Sequence, residues 1–358
     1  MDLGVIAEDI CRKEQTVMLV MYKDLCVASI DRKSGKSDIF HKDLMPYALW
    51  FETGDDIDIR VQNIYNFETW CAGRLLTMRR TYYKEIVNAC GFTQASTDKQ
   101  RAEVAIQCRC LSLQDPYWVT YKGGTVCWNE VCLFDNSSDM AFIDVCLRGK
   151  NMSVFDLSPV ISNITLDGTV DKAWQRNTDG FYLLKAGSLK QVENEISASN
   201  VLQKLGFNVV PYIYSTYNGE PITMCKAFTT SEIGFVTAEE YAYNHDIHKA
   251  LSGYTRQFCE LVLSEYIVGN SDLHARNWGF LFNDGEIVGM APLFDFDHAF
   301  ELNYNCNDIE SKVWRAVGVR ENLKEAARSA CDVLGLDRSS FEGLRCEYVE
   351  KSVKSLFT

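Results

Sequence analysis

Three polar side chains in the second half of the chain have the types and spacing of a phosphate-transfer site. Asp272 and Asn277 lie in Gly-Asn-Ser-Asp-Leu-His-Ala-Arg-Asn, and Asp295 follows in Ala-Pro-Leu-Phe-Asp-Phe-Asp. One carboxylate can orient an acceptor hydroxyl, while an amide and a second carboxylate hold Mg²⁺ against the phosphates of ATP. The set therefore predicts phosphoryl transfer, with Asp272 at the hydroxyl and Asn277 and Asp295 at the metal.

Further polar residues lie inside and just after this motif. His274 and Arg276 belong to the same loop, where they can contact phosphate or brace Asp272. Asp297 comes two residues after Asp295 and can either assist the metal or bind backbone in a turn, and we favour the turn.

A lysine within an apolar strand is the second chemical signal. Lys185 lies in Gly-Phe-Tyr-Leu-Leu-Lys-Ala-Gly, and a buried, unpaired amine is costly. Glu193 and Glu195 on the following predicted helix could pair with it, which is how kinases arrange the lysine that holds ATP phosphates. The alternative is that Lys185 extends to solvent at the edge of its sheet.

Hydrophobic periodicity and turn residues predict the elements that must position these side chains. In the first part of the chain they predict strands at 16–22, 25–30, 57–61 and 117–121, helices at about 66–90 and 97–110, and a polar connector at about 148–168. In the second part they predict a strand at 180–187, helices at 192–205 and 238–268, and hairpins that turn at Asn218-Gly219 and Asn283-Asp284-Gly285.

Composition narrows the class of protein. The 358 residues are 47% hydrophobic, with 14 cysteines but no Cys-x-x-Cys pair, which favours reduced, buried thiols over a zinc site. No apolar run approaches the ~18 residues of a membrane span, and the N-terminus lacks the features of a signal peptide, so we expect a cytoplasmic protein without a membrane partner.

The net charge of −13 argues against direct nucleic-acid binding. A basic group at Arg74, Arg79 and Arg80 is interpreted as the solvated face of a helix.

Several blocks in order resemble the HipA-type serine/threonine kinases of bacteria. Gly168-Thr-Val-Asp-Lys172 is similar to that family's phosphate loop, and Leu-Leu-Lys185 to its ATP-binding strand. The helix carrying Glu195, the exit Gly-Phe-Asn-Val-Val-Pro, and the motifs around Asp272 and Asp295 complete the match.

The resemblance implies an α+β, bilobal protein-kinase-like fold, with a small β-rich N-lobe and a helical C-lobe, preceded by a mixed N-terminal domain. The corresponding domains are 1–150, 151–232 and 233–358. It implies ATP and Mg²⁺ as cofactors and a protein hydroxyl as acceptor. Residues 1–150 have no convincing counterpart in the family, so their role stays open.

The resemblance also assigns roles within the site. Asp272 is catalytic, with His274 and Arg276 beside it. Gly168, Lys172, Lys185 and Glu195 bind the nucleotide, and Asn277 and Asp295 bind the metal. Some family members phosphorylate themselves just before the loop glycine, where Thr165 is the nearest hydroxyl here. A toxin-like role and an antitoxin-like partner are further properties that the resemblance allows.

Two other functions compete with a protein kinase. Small-molecule phosphotransferases of the aminoglycoside or choline kinase type also carry an Asp-Leu-His-x-x-Asn loop before an Asp-Phe-Asp-like strand. A non-catalytic pseudokinase scaffold is the third hypothesis. The blocks at 168–172 and 192–211 favour the HipA type over a small-molecule phosphotransferase. A non-catalytic scaffold is disfavoured by the presence of all four candidate site residues, Lys185, Asp272, Asn277 and Asp295.

Overall fold

The computed structural model describes residues 16–89, 92, 95–136, 140–149, 170–302 and 309–358. The chain divides into two units. The first holds the residues before Tyr182 together with Thr229–Gly234, and the second holds Tyr182–Phe228 and Phe235–Thr358. The domain limits expected from the sequence, 1–150, 151–232 and 233–358, stay a prediction.

An antiparallel sheet organises the first unit. Its strands lie in the order β3-β2-β1-β4, and strand β1 alternates as predicted, with Met18, Val20 and Tyr22 buried. The elements of this unit are β1 (Val17–Tyr22), β2 (Leu25–Asp31), β3 (Ser37–Ile39), α1 (Ile57–Gly73), α2 (Tyr83–Ala89), α3 (Asp98–Gln107), β4 (Tyr117–Tyr121), α4 (Trp128–Val131), α5 (Leu133–Asn136), α6 (Met140–Arg148) and β5 (Lys172–Asn177).

The strand predicted at 57–61 is wrong, because this segment opens helix α1. The side chain of Asp56 caps the helix by accepting hydrogen bonds from the backbone N–H groups of Asp58 and Ile59. Phe67 and Trp70 are buried further along the same helix. The short apolar alternation at 57–61 is therefore weaker evidence than the cap that precedes it.

The interpretation of the arginine group as a solvated helix face is also wrong for two of its members. Helix α1 ends at Gly73, and both terminal nitrogens of the Arg74 guanidinium lie 2.8 Å from the carboxylate of Asp115. Arg80 is 2% exposed, whereas Arg79 is exposed. Arg74 therefore forms an ion pair within the first unit instead of presenting its charge to solvent.

The second unit combines two small sheets with a set of helices. Strands β6, β8 and β7 are antiparallel neighbours, and a separate sheet has the order β11-β10-β9. The elements are β6 (Gly180–Ala186, which begins just before the unit boundary), α7 (Leu189–Lys204), β7 (Ile213–Tyr217), β8 (Glu220–Lys226), β9 (Gly234–Thr237), α8 (Ala238–Asn244), α9 (Ile247–Ser252), α10 (Thr255–Val268), β10 (Gly279–Asn283), β11 (Glu286–Met290), α11 (Lys312–Ala316), α12 (Leu323–Leu334) and α13 (Glu347–Leu356).

Both predicted hairpins are confirmed. Asn218 and Gly219 have φ values of 52° and 87°, and Asp284 and Gly285 have φ values of 47° and 80°. Two consecutive left-handed residues define the type I′ turn that suits the twist of antiparallel strands. The second hairpin separates Asn277 from Asp295 along the chain.

The single long helix predicted at 238–268 is wrong, because the structure divides it into α8, α9 and α10. The side chain of Asp246 accepts hydrogen bonds from the N–H groups of His248 and Lys249, which starts α9, and Gly253 caps the end of α9 after Ser252. Local capping groups therefore outweigh the continuous helical periodicity. Helix α10 leads directly into the motif that carries Asp272.

The α+β class predicted from the sequence is confirmed by the antiparallel sheets and the helices around them. In the second unit, β6, β7, β8 and α7 form a small β-rich part, and the later residues are mainly helical. Among the described residues, no helix combines the length and apolar character needed to cross a bilayer.

We expect Gly269→Ala to destabilise the chain more than Gly335→Ala. Both glycines end a helix with positive φ, 53° and 70° respectively, so alanine strains the backbone at either position. A Cβ at Gly269 would also lie 1.7 Å from the hydroxyl oxygen of Tyr348, whereas nothing lies within 4 Å at Gly335. Urea unfolding should show losses of roughly 3 and roughly 1 kcal/mol. Equal losses would mean that the Tyr348 contact costs nothing.

Candidate active site

Asp272 lies on the loop that follows helix α10. Gly269 ends the helix in the left-handed conformation, which turns the chain sharply. The Asp272 side chain is exposed, and its backbone N–H donates a hydrogen bond of 3.1 Å to the side-chain oxygen of Asn270. The carboxylate therefore faces solvent from a loop whose backbone is held.

Asn277 and Asp295 lie beside each other, as the sequence predicted for a shared site. The Asn277 amide donates to a carboxylate oxygen of Asp295 at 2.9 Å, and Asn277 is 5% exposed. Asp295 has a φ of 69°, an unfavourable value for a residue with a side chain. Its backbone is held from two sides, because the N–H donates to the hydroxyl of Tyr212 at 3.1 Å and the carbonyl accepts from Asn270 at 2.8 Å.

Lys185 is buried, so the alternative of a lysine that extends to solvent is wrong. Its side chain is 7% exposed and its ammonium lies 2.9 Å from the carboxylate of Glu195. The same ammonium forms an ion pair with Asp295 and lies 3.3 Å from Asp297. The carboxylate of Asp297 thus pairs with the lysine, a role that the sequence did not predict, and Asp297 begins the turn at 297–300. Of the two glutamates on helix α7, Glu195 is buried and Glu193 is exposed.

Charge pairing maintains the ionised state of the buried lysine. Burial alone lowers the pKa of Lys185, but the three carboxylates around it raise that pKa well above the ordinary value for lysine. Burial raises the pKa of Glu195, while Lys185 acts in the opposite direction. The second carboxylate oxygen of Glu195 accepts a hydrogen bond of 2.6 Å from Thr223, the residue opposite Lys185 in the pairing of β6 with β8.

The remaining predicted site residues lie on the Asp272 loop, belong to the first unit, or fall outside the described residues. His274 and Arg276 are exposed on the loop, and Arg276 reaches Glu239 at 3.5 Å. Lys172 begins strand β5 in the first unit, where its carbonyl accepts a hydrogen bond from Arg80. Gly168 and Thr165 lie outside the described residues.

Sequence reasoning missed two residues that hold Asp295. Asn270 is 2% exposed and adjoins the motif, so its position two residues before Asp272 was an available signal. The hydroxyl of Tyr212 reaches Asp295 across 83 positions in the sequence, and no local pattern indicates that contact.

A third group outside the predicted set lies next to Asp272. Ser271 donates to a carboxylate oxygen of Glu301 at 2.6 Å, and the same oxygen lies 3.0 Å from Nδ1 of His298. The ammonium of Lys312 donates to the carbonyl of Ser271. These contacts hold the residue immediately before Asp272 from two further directions.

The donor set around Asp295 fits Mg²⁺. Mg²⁺ prefers oxygen ligands and is commonly held by one or two protein carboxylates together with substrate phosphates. Asp295 and Asn277 supply a carboxylate and an amide oxygen within one hydrogen-bonded pair. In the part of the chain that the structure describes, no three His, Cys, Asp or Glu residues converge as a metal-binding group. A site completed by phosphate oxygens is therefore the arrangement that these residues suit.

Comparison with known proteins gives one family and a set of distant relatives. Residues 163–355 match the model of the HipA-like C-terminal domain. A Haemophilus influenzae protein with a provisional kinase assignment is 24% identical over 185 residues, which cover 42% of this chain and 53% of that protein. The serine/threonine-protein kinase CtkA of Helicobacter pylori is 24% identical over 124 residues, 28% of this chain and 38% of CtkA. The chain thus spans about half or less of the length of these relatives.

A solved structure resembles nearly the whole chain. It is a chain from the HipA, HipB and operator DNA complex of the Shewanella oneidensis MR-1 toxin–antitoxin system, with a TM-score of 0.54 and 11% sequence identity. The match covers 95% of this chain and 96% of that one. At this identity the likeness concerns the fold alone, and it confirms the predicted kinase-like fold class.

We expect the stability conferred by His298 to depend on pH. Burial alone lowers the pKa of His298, but the hydrogen bond to Glu301 and the charges of Asp297, Glu301 and Asp272 raise it above its ordinary value. A raised pKa in the folded state stabilises the protein below the unfolded pKa of about 6.5, and this contribution disappears as the pH rises through the folded pKa.

The measurement is urea unfolding of the unmodified protein and of His298→Gln between about pH 5.5 and pH 8.5. The difference in free energy of unfolding should shrink as the pH rises. In a Glu301→Gln background the same substitution should produce a weaker pH dependence. Parallel stability curves in the original background would contradict the assignment.

Proposed function

The chain belongs to the HipA-like C-terminal domain family, and on this premise we propose that it is an ATP-dependent protein serine/threonine kinase. It transfers the γ-phosphoryl group to a protein hydroxyl. The main support is that Lys185 and Asn277 both contact the carboxylate of Asp295. Glu195 forms a second ion pair with the same lysine. The kinase names of the relatives support the reaction class, and CtkA supports serine or threonine as the acceptor.

Each residue of the set has a distinct task in this proposal. Lys185, held by Glu195, binds phosphate oxygens of ATP. Asp295 and Asn277 hold Mg²⁺, which when bound offsets the negative charge of the phosphates. Asp272 orients the acceptor hydroxyl and takes its proton, as the acceptor oxygen bonds to the γ-phosphorus and the bond to ADP breaks. His274 and Arg276 assist at the same loop.

The finer proposals follow from the family resemblance. By that resemblance Gly168 and Lys172, the first residue of β5, are candidate phosphate contacts, and Thr165 is the candidate for autophosphorylation. The protein substrate is of unknown identity, and we place the protein in the cytoplasm. The Shewanella oneidensis complex contains HipB, which supports a toxin-like role and an antitoxin-like partner as hypotheses for this chain.

We expect the purified chain to gain phosphate from Mg-ATP, and Asp295→Asn to lose that activity. Each phosphate adds about 80 Da to the intact mass, and fragmentation would show whether Thr165 is the acceptor. Removing a metal ligand should slow transfer at least about a hundredfold, because metal stabilisation of the transition state contributes several kcal/mol. Asp284→Asn is a matched control, since Asp284 also has a positive φ, 47°, but lies in an exposed hairpin turn.

The other outcomes separate the competing functions. ATP turnover that requires an added aminoglycoside or other small alcohol would replace a protein kinase by a small-molecule phosphotransferase. Saturating ATP at 100 times its Kd should stabilise a nucleotide-binding protein by about 2.7 kcal/mol. No stabilisation and no phosphate transfer would leave a non-catalytic scaffold and overturn the enzyme proposal.

A further inference from the structure

One buried amide connects the two acidic segments of the candidate site. The side-chain oxygen of Asn270 accepts the backbone N–H of Asp272 at 3.1 Å, and its side-chain nitrogen donates to the backbone carbonyl of Asp295 at 2.8 Å. Asn270 is 2% exposed, so water does not compete freely for either bond. The two bonds link residues on opposite sides of the β10–β11 hairpin.

The chemistry of the bridge requires both ends of an amide. A planar amide holds a donor and an acceptor at a fixed separation, and a carboxylate has only acceptors at neutral pH. A change in the position of the Asp295 backbone is therefore transmitted to the N–H of Asp272 through one rigid group. The bridge acts on backbone atoms, which leaves both carboxylates available for ligands.

Other contacts among the described residues hold the same two segments through different atoms. The backbone N–H of Ser271, the residue immediately before Asp272, donates to the carbonyl of His298 at 3.0 Å. This bond joins backbone atoms and does not involve the Asn270 side chain. The Tyr212 hydroxyl accepts the N–H of Asp295, and the Asn270 side chain donates to the carbonyl of the same residue, whose φ is positive.

We propose that Asn270 is a positioning residue. It fixes the position of the candidate catalytic residue Asp272 relative to the candidate metal ligand Asp295. The inference rests on the proposed kinase function for its catalytic consequence. The bridge itself is a property of the chain without nucleotide. Asn270 touches no reacting atom and acts only through the backbones of the two aspartates.

Two substitutions separate the two halves of the bridge. Asn270→Ala removes both hydrogen bonds. Asn270→Asp, above the pKa of the introduced carboxyl, keeps an acceptor for the Asp272 N–H but sets an oxygen against the Asp295 carbonyl. Asn63→Ala is the matched control, because Asn63 is a 1% exposed asparagine that bonds Ser37 and Glu52 in the first unit.

NMR of the chain without nucleotide tests the two ends of the bridge separately: amide hydrogen exchange reports the Asp272 N–H, and the carbonyl carbon shift reports the Asp295 C=O. In Asn270→Ala the Asp272 amide should exchange about tenfold faster or more, because it loses its acceptor, and the Asp295 carbonyl resonance should shift, because that carbonyl loses its donor. In Asn270→Asp the Asp295 carbonyl resonance should shift while the Asp272 amide stays protected. Asn63→Ala should change neither signal. Unchanged exchange in Asn270→Ala, or a change no larger than that in Asn63→Ala, would overturn the inference.

The kinetic test examines the consequence for transfer. The Mg²⁺ concentration for half-maximal rate should rise roughly tenfold in both Asn270 variants. At saturating Mg²⁺, kcat should fall roughly tenfold in Asn270→Ala and stay unchanged in Asn270→Asp. A loss of folded protein alone would lower kcat without changing the Mg²⁺ requirement. Absence of phosphate transfer by the unmodified chain would overturn the kinase proposal, while the exchange experiment would still decide the role of Asn270.

Discussion

The burial of one ammonium group is the constraint on which the candidate site depends. An unpaired charge in the interior is strongly unfavourable, so Lys185 can be buried only with carboxylates around it. Glu195 comes from the next helix, whereas Asp295 lies 110 positions away in the sequence. Neutralising one lysine therefore brings the β-rich part of the second unit against the segment that follows the β10–β11 hairpin. Because Asp297 also pairs with Lys185, removal of Glu195 or Asp295 would leave the buried ammonium with fewer compensating charges.

Asp295 occupies a strained backbone conformation, which contacts with four surrounding residues hold in place. Its N–H, its carbonyl and both carboxylate oxygens each have a partner, from Tyr212, Asn270, Asn277 and Lys185. A non-glycine residue at a φ of 69° persists only when its neighbours compensate for the strain. Such strain is common where a side chain must point at a ligand, which agrees with the metal-binding role proposed for this carboxylate.

Local patterns predicted hairpins more reliably than long helices. The Asn-Gly and Asp-Gly turns were predictable because φ above zero restricts the choice of residue at those positions. Two segments were predicted wrongly from their hydrophobic pattern. The helix predicted at 238–268 is interrupted where Asp246 caps a new helix, and the strand predicted at 57–61 is helical because Asp56 caps a helix that starts there. Asp246 and Asp56 are short-range signals, but their effect depends on which backbone N–H groups need a partner.

The sequence by itself determined the chemistry that the second unit can offer: an acid, an amide and a second acid in kinase order, and a lysine that needs a counter-charge. Only the tertiary structure decided which groups meet. It selected Glu195 over Glu193, paired Asp297 with Lys185, and brought Tyr212 and Asn270 to the backbone of Asp295. The physical reason is that side-chain identity sets what a group can bind, whereas a hydrogen bond requires a separation of about 3 Å, which residues far apart in sequence reach only through the packed fold.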